Sequence, residues 1–217
     1  MILNLEDLIN YSSKLAKALG YPLPINDDPV WSGYDSCSLN TPGIFDKEYN
    51  SLIKAFPTLA ESYLKFIRAY DVKQVTIGNY RISMCKDKQE DTAERLLYWN
   101  DREEEIQVIQ KRHDLIFIAH SDIYDIYVAG TKSDYKEGEI LSIDHELYWE
   151  EVVPIKRVAP DYETFLIICA NKYQLEMTDG IDGNNILDVL RQRLDALNLP
   201  KEYYDYWVWY NTPSPTM

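Results

Sequence analysis

Leu115-Ile116-Phe117-Ile118-Ala119, Ile123-Tyr124-Asp125-Ile126-Tyr127-Val128-Ala129, Glu139-Ile140-Leu141-Ser142-Ile143 and the run from Val152 to Val158 are the stretches that decide the fold. Each is short and rich in β-branched and aromatic residues, the composition of a strand. Asp122, Gly130 and Gly138 lie between them and mark turns. Consecutive strands with such short connections follow one another as an antiparallel meander. Upstream, Val72, Val75 and Ile77 with Thr76 read as a further strand, and Gly78-Asn79 leads into Tyr80-Arg81-Ile82-Ser83-Met84 as a hairpin would. The expected class is α+β, with a mainly antiparallel sheet of about five to six strands flanked by N-terminal and C-terminal helices.

The flanking helices declare themselves by period. Leu5, Leu8, Ile9, Leu15, Ala16 and Leu19 recur at helical spacing after Asn4, with Gly20 and Pro22 as the stop. Tyr21 to Gly43 carries four prolines and reads as an irregular wrap. A second helix begins near Asp46, and Pro57 separates it from a third that the capping-box pattern Thr58-Leu59-Ala60-Glu61 opens and Tyr70 closes. Asp91 to Gln110 is helical and charged, as one bent helix or two short ones, with Asp101 and Glu104 as a capping pair. Pro160 and Asp161 start a helix through Phe165, Leu166, Cys169 and Tyr173, apolar enough to lie across the sheet. A last helix follows Asn184, then an aromatic piece from Tyr203 to Tyr210 and a tail to Met217. Residues 1–217 thus form one domain, with 1–45 as N-terminal helix and wrap and 182–217 as a C-terminal helical extension.

The 217 residues are 46% hydrophobic, so a core can form. Lys plus Arg number 22 against 36 Asp plus Glu, a formal charge of −14 that repels nucleic-acid phosphates and anionic lipid and favours a cationic partner. Solubility alone is the plainer explanation of such an excess. Cys37, Cys85 and Cys169 lie far apart, an odd and sparse set expected of a reducing compartment. The start at Met1-Ile2-Leu3-Asn4-Leu5-Glu6-Asp7 has no cationic region ahead of an apolar stretch, and no run reaches the roughly 18 apolar residues of a span. The expected address is the cytoplasm.

Chemistry-bearing patterns are sparse. His113-Asp114, His120-Ser121-Asp122 and Asp144-His145 place carboxylates beside the histidines, yet their spacing matches no metal motif. Neighbours such as Asp144 and His145 point to opposite faces of a strand. Cys169 on an apolar helix face reads as an inert buried thiol. Asp179-Gly180-Ile181-Asp182-Gly183-Asn184 has some likeness to a calcium loop but lacks the closing Glu, and reads as a turn. No nucleophile elbow, phosphate loop or dinucleotide fingerprint occurs. No cofactor and no catalytic role are expected.

Several phrases resemble the SUKH superfamily, which groups bacterial immunity proteins with fungal cell-wall-synthesis regulators. Phe56-Pro57 followed by Tyr63-Leu64-Lys65-Phe66 is similar to the family's helix at a proline-bearing turn. Ile116 to Ala119 followed by Ile123 to Val128 resembles its strand, polar turn and strand. Glu139 to His145 resembles the next strand with its Asp-His exit, and Ala159 to Leu166 the start of the closing helix. The likeness runs from about Asp46 to Tyr173. The chain departs from the family in lacking glycines near Ser121, in the charged insert from Asp87 to Arg112, and in the added residues from Asp182 to Tyr210. The resemblance implies a SUKH-like domain that binds and silences a toxin, often a nuclease, made by the same cell or a neighbour.

Physical chemistry gives that expectation a surface. A nuclease carries a cationic groove, which an acidic inhibitor attracts at long range. Affinity then needs buried aromatic anchors. Tyr124, Tyr127, Tyr135, Tyr148 and Trp149 interleave with Asp122, Asp125, Asp134, Asp144, Glu146, Glu150 and Glu151, and form the expected partner-binding set. The plainer reading sends strand tyrosines to the core and leaves the acids as wet surface. Two other functions fit the same residues: a regulatory scaffold of the fungal type, and an enzyme built on scattered Asp and Glu.

Overall fold

The computed structural model describes residues 1–18, 43–70, 75–77, 80–82, 92–121, 123–176 and 183–210. The expectations for the wrap, for the Gly78-Asn79 turn, for Cys37, Cys85 and Asp122, for the loop at 179–182 and for the tail after Tyr210 lie outside those residues.

One antiparallel sheet organises the chain, its strands in chain order: β1 (Val75–Ile77), β2 (Tyr80–Ile82), β3 (Leu115–His120), β4 (Tyr124–Ala129), β5 (Ile140–Asp144) and β6 (Ile155–Ala159). Its body is the four longer strands β3 to β6, and the short pair β1 and β2 extends one edge. The meander expected from the connections is present. β6 starts at Ile155 rather than at Val152, and the residues ahead of it form a loop.

Helices cover both faces. The larger core joins Ile116, Ile118, Ile126, Val128, Ile140 and Val158 to α1 (Leu5–Ala18), α2 (Asp46–Ala55), α3 (Glu61–Ala69) and α6 (Tyr162–Glu176). In α6 every residue from Phe165 to Tyr173 is buried, including Asn171 and Lys172, as befits a helix apolar on all sides. On the other face Leu115, Phe117, Tyr127, Leu141 and Ile143 meet Ile106 and Ile109 of α5 (Glu104–His113), together with Tyr148 and Val153. The charged stretch after Asp91 resolves into two helices, α4 (Thr92–Arg102) and α5, and Glu103 rather than Asp101 stands at the second N-cap.

α7 (Gly183–Ala196) buries Leu190 and Leu194 in the larger core, and α8 (Tyr204–Tyr210) buries Tyr206 and Trp207. Tyr206 shares a 2.9 Å hydroxyl hydrogen bond with Tyr80, and Trp207 Nε1 donates to the Val158 carbonyl at 2.8 Å. α7 and α8 are therefore built into the core, and α8 packs along β6.

Two details fix the turns. Thr58 does not cap α3, whose N-cap is Ala60; its hydroxyl donates instead to Asp114 Oδ1 at 2.6 Å. Asp114, in the left-handed region at the end of α5, also accepts from the Lys132 amide at 2.8 Å. A Cβ on Gly130 would lie 2.3 Å from that carboxylate, so only glycine fits where the chain leaves β4.

Candidate functional site

Asn100 of α4 begins the construction of the site. Its amide accepts from the Phe117 N–H at 3.0 Å and donates to the Phe117 carbonyl at 2.9 Å, imitating a neighbouring strand. The same nitrogen donates to the Leu96 carbonyl at 2.9 Å. Among the described residues β2 pairs with β3 at Ala119 and His120, and Asn100 satisfies the backbone groups of Phe117 farther along that edge. Between Phe117 and Ala119 the register with β4 shifts by a bulge. Without it His120 would point away from the Phe117 side; with it His120 stands opposite Asp125, on the face that carries Tyr127.

A buried polar chain results. The Tyr148 hydroxyl donates to Asp125 Oδ2 and lies 2.7 Å from the Tyr127 hydroxyl. His120 Nδ1 is 3.7 Å from Asp125 Oδ1. Burial, with Tyr127 and Asp125 alongside, holds the Tyr148 phenol far above its ordinary range, and burial beside Asp125 does the same for Tyr127. Both phenols stay protonated and serve as donors.

Tyr148 is thus a peg. After β5 the chain makes a short helical turn at His145–Leu147, where the Asp144 carboxylate accepts from the Glu146 amide at 3.0 Å. Tyr148 and Val153 enter the core, and the four residues between them, Trp149, Glu150, Glu151 and Val152, stand in solvent. Trp149 is 61% and Val152 82% exposed, both far beyond what burial would allow such side chains. Ile123, 48% exposed, lies beside this tip, because its carbonyl accepts from the His145 amide at 3.2 Å. From Asp144 to Val153 there are four carboxylates and no Lys or Arg. No ion pair joins Glu146, Glu150 or Glu151 among the described residues.

The expected partner-binding residues divide. Asp144, Glu146, Trp149, Glu150 and Glu151 come together at this end of the sheet. Tyr124, Tyr127 and Tyr148 are corrected: they are 1%, 0% and 3% exposed and cannot be surface anchors. Tyr124 packs into the larger core against Tyr206, and the other two belong to the polar chain. Asp125 is buried with them. Asp134 and Tyr135 sit in the turn before β5, roughly 14 Å of strand from Asp144. There Tyr135 lies under the Arg157 guanidinium, whose Nη1 is 2.8 Å from the fully buried Glu139 and 3.3 Å from Glu202. Ile123 and Val152, exposed beside these residues, are outside the expected set; Val152 follows two glutamates in an apolar run that reads as a strand.

Among the described residues no group of His, Cys, Asp and Glu is arranged to hold a metal ion, and no helix is long and apolar enough to cross a membrane. No family model, curated protein or solved structure matches the chain.

Proposed function

We propose that this chain is an immunity-type binding protein that neutralises a basic protein toxin, a nuclease by preference, through stoichiometric binding. One observation carries it: an exposed Trp149 and Val152, between the buried Tyr148 and Val153, stand at the end of the sheet among Glu146, Glu150 and Glu151, which no ion pair joins among the described residues. Tryptophan is among the residues that dominate interface energetics, and a loop fixed at both ends loses little freedom on binding. The acids steer a cationic surface toward it and leave anionic ligands repelled. The resemblance of several strand and helix phrases to the SUKH superfamily supports the same reading.

The test mixes the purified chain with the candidate toxin encoded by a neighbouring gene, at moderate salt. A one-to-one complex with loss of toxin activity is expected. Neither binding nor inhibition would remove the proposal.

A further inference from the structure

In two places among the described residues the chain seats a guanidinium on an aromatic ring beside a carboxylate. On α2, Asp46 and Tyr49 stand three residues apart; Arg68 of α3 lies 4.6 Å from the centroid of the Tyr49 ring while its Nη2 pairs with the Asp46 carboxylate. On β6, Arg157 lies 5.5 Å from the centroid of the Tyr135 ring, and its Nη1 reaches Glu139 at 2.8 Å and Glu202 at 3.3 Å. Ring and acid divide the work: the ring attracts the flat face of the cation, and the carboxylate takes its N–H edge.

The tip after β5 repeats the ring and the acid. Glu146 lies in the helical turn His145–Leu147, Tyr148 keeps right-handed helical dihedrals, and the Glu150 amide donates to the Leu147 carbonyl at 3.2 Å. Glu146 and Trp149 are therefore three residues apart on one side of a continuing turn, the spacing of Asp46 and Tyr49. At 61% exposure Trp149 stands mostly open to solvent, and Glu146 is exposed beside it. Among the described residues no Lys or Arg lies over that ring or pairs with Glu146, Glu150 or Glu151. We infer that Trp149 and Glu146 together receive one arginine of the bound protein, its guanidinium lying over the indole while its N–H edge addresses the Glu146 carboxylate. Tryptophan is the strongest ring for such a contact, and the planar fork of arginine meets ring and acid at once where an ammonium cannot. An apolar pocket on the partner is the poorer match, because closing it over Trp149 strips water from the neighbouring glutamates and returns no counter-charge. The inference rests on the tip being the docking surface proposed above, and it names the residue that the docked protein presents to it.

Hexa-arginine and hexa-lysine peptides are the probes, equal in charge and different in headgroup. Each is titrated into the full chain at low salt while NMR follows the Trp149 indole N–H, identified by its absence from Trp149→Phe. Hexa-arginine should shift this signal saturably, with an affinity about two- to fivefold above that of hexa-lysine, the range for an exposed cation–π contact. Calorimetry with the same peptides should show that preference lost in Trp149→Ala and reduced in Glu146→Gln, while circular dichroism of both variants matches the wild type. Equal affinities of the two peptides for the wild type would overturn the inference, as would the absence of a saturable Trp149 shift or a preference that survives either substitution in full. No toxin enters these titrations, so the two proposals fail separately. A chain that captures its toxin without preferring arginine loses this inference alone, and one that prefers arginine but captures no toxin loses the function alone.

Discussion

The Tyr148 hydroxyl donates to the buried Asp125 carboxylate across 23 residues of chain, and through that bond the loop ahead of β6 is tied to the middle of the sheet. Removing the hydroxyl while keeping the ring leaves both Asp125 and Tyr127 short of a partner. Tyr148→Phe should therefore destabilise the fold by about 2 kcal/mol, the range for a buried hydrogen bond to a charged group. Amides of residues 149 to 152 should exchange faster than in the wild type. An unchanged denaturation midpoint would show that the bond does not anchor the loop.

Asn100 must both accept from and donate to Phe117, which no other short side chain does in that orientation. Asn100→Asp keeps the shape and loses both donations, placing a carboxylate against the Leu96 and Phe117 carbonyls. The variant should lose about 2 to 3 kcal/mol, and recover part of this in acid, where the carboxyl regains a proton. Equal stability of variant and wild type at neutral pH would contradict the strand-mimic role.

Alkaline pH probes the buried phenols. Burial raises Tyr63, Tyr127, Tyr148 and Tyr162 above the ordinary tyrosine range, and burial with Glu139 beside it pushes Tyr203 up to about 12. Unfolded tyrosines lose their protons near pH 10, so above that pH the unfolded chain binds fewer protons than the folded one. Stability is then full below about pH 10 and falls as pH rises from there toward 12, by about 1.4 kcal/mol per unit for each such tyrosine. Tyrosinate absorbance should show one fraction ionising near 10 and a second appearing only with loss of circular dichroism. A single smooth titration of all 18 tyrosines with the fold intact would contradict the burial described.

Much of the architecture was legible because it depends on local pattern. The apolar runs at Leu115, Ile123 and Glu139 are strands whatever they pair with, and α6 reads as a buried helix from its composition alone. The site was half legible. Alternation along β4 separates Tyr124 from Tyr127 but does not say that either face is wet, and here helices cover one face while α5 and the 148–153 loop cover the other. The ring-and-acid pattern therefore led to residues that lie in the core. The bulge that turns His120 to Asp125 depends on pairing register between strands, and Asn100 acts across 17 residues, so neither is visible in a local window. The exposure of Trp149, Glu150 and Glu151 was legible because charge repels burial even where strand propensity is high.

The proposed docking surface for a cationic protein is the tip from Trp149 to Val152 with its carboxylates. Side chains so exposed contribute little to folding, so Trp149→Ala and the pair Glu150→Lys with Glu151→Lys should each leave stability within about 0.5 kcal/mol of the wild type. The most direct measurement is the kinetics of binding of these variants to the toxin that the wild type captures, at two ionic strengths. Trp149→Ala should weaken affinity by about 30-fold or more, chiefly through faster dissociation. The double charge reversal should slow association and flatten its salt dependence. Wild-type rates in both variants would place the binding surface elsewhere and contradict the account.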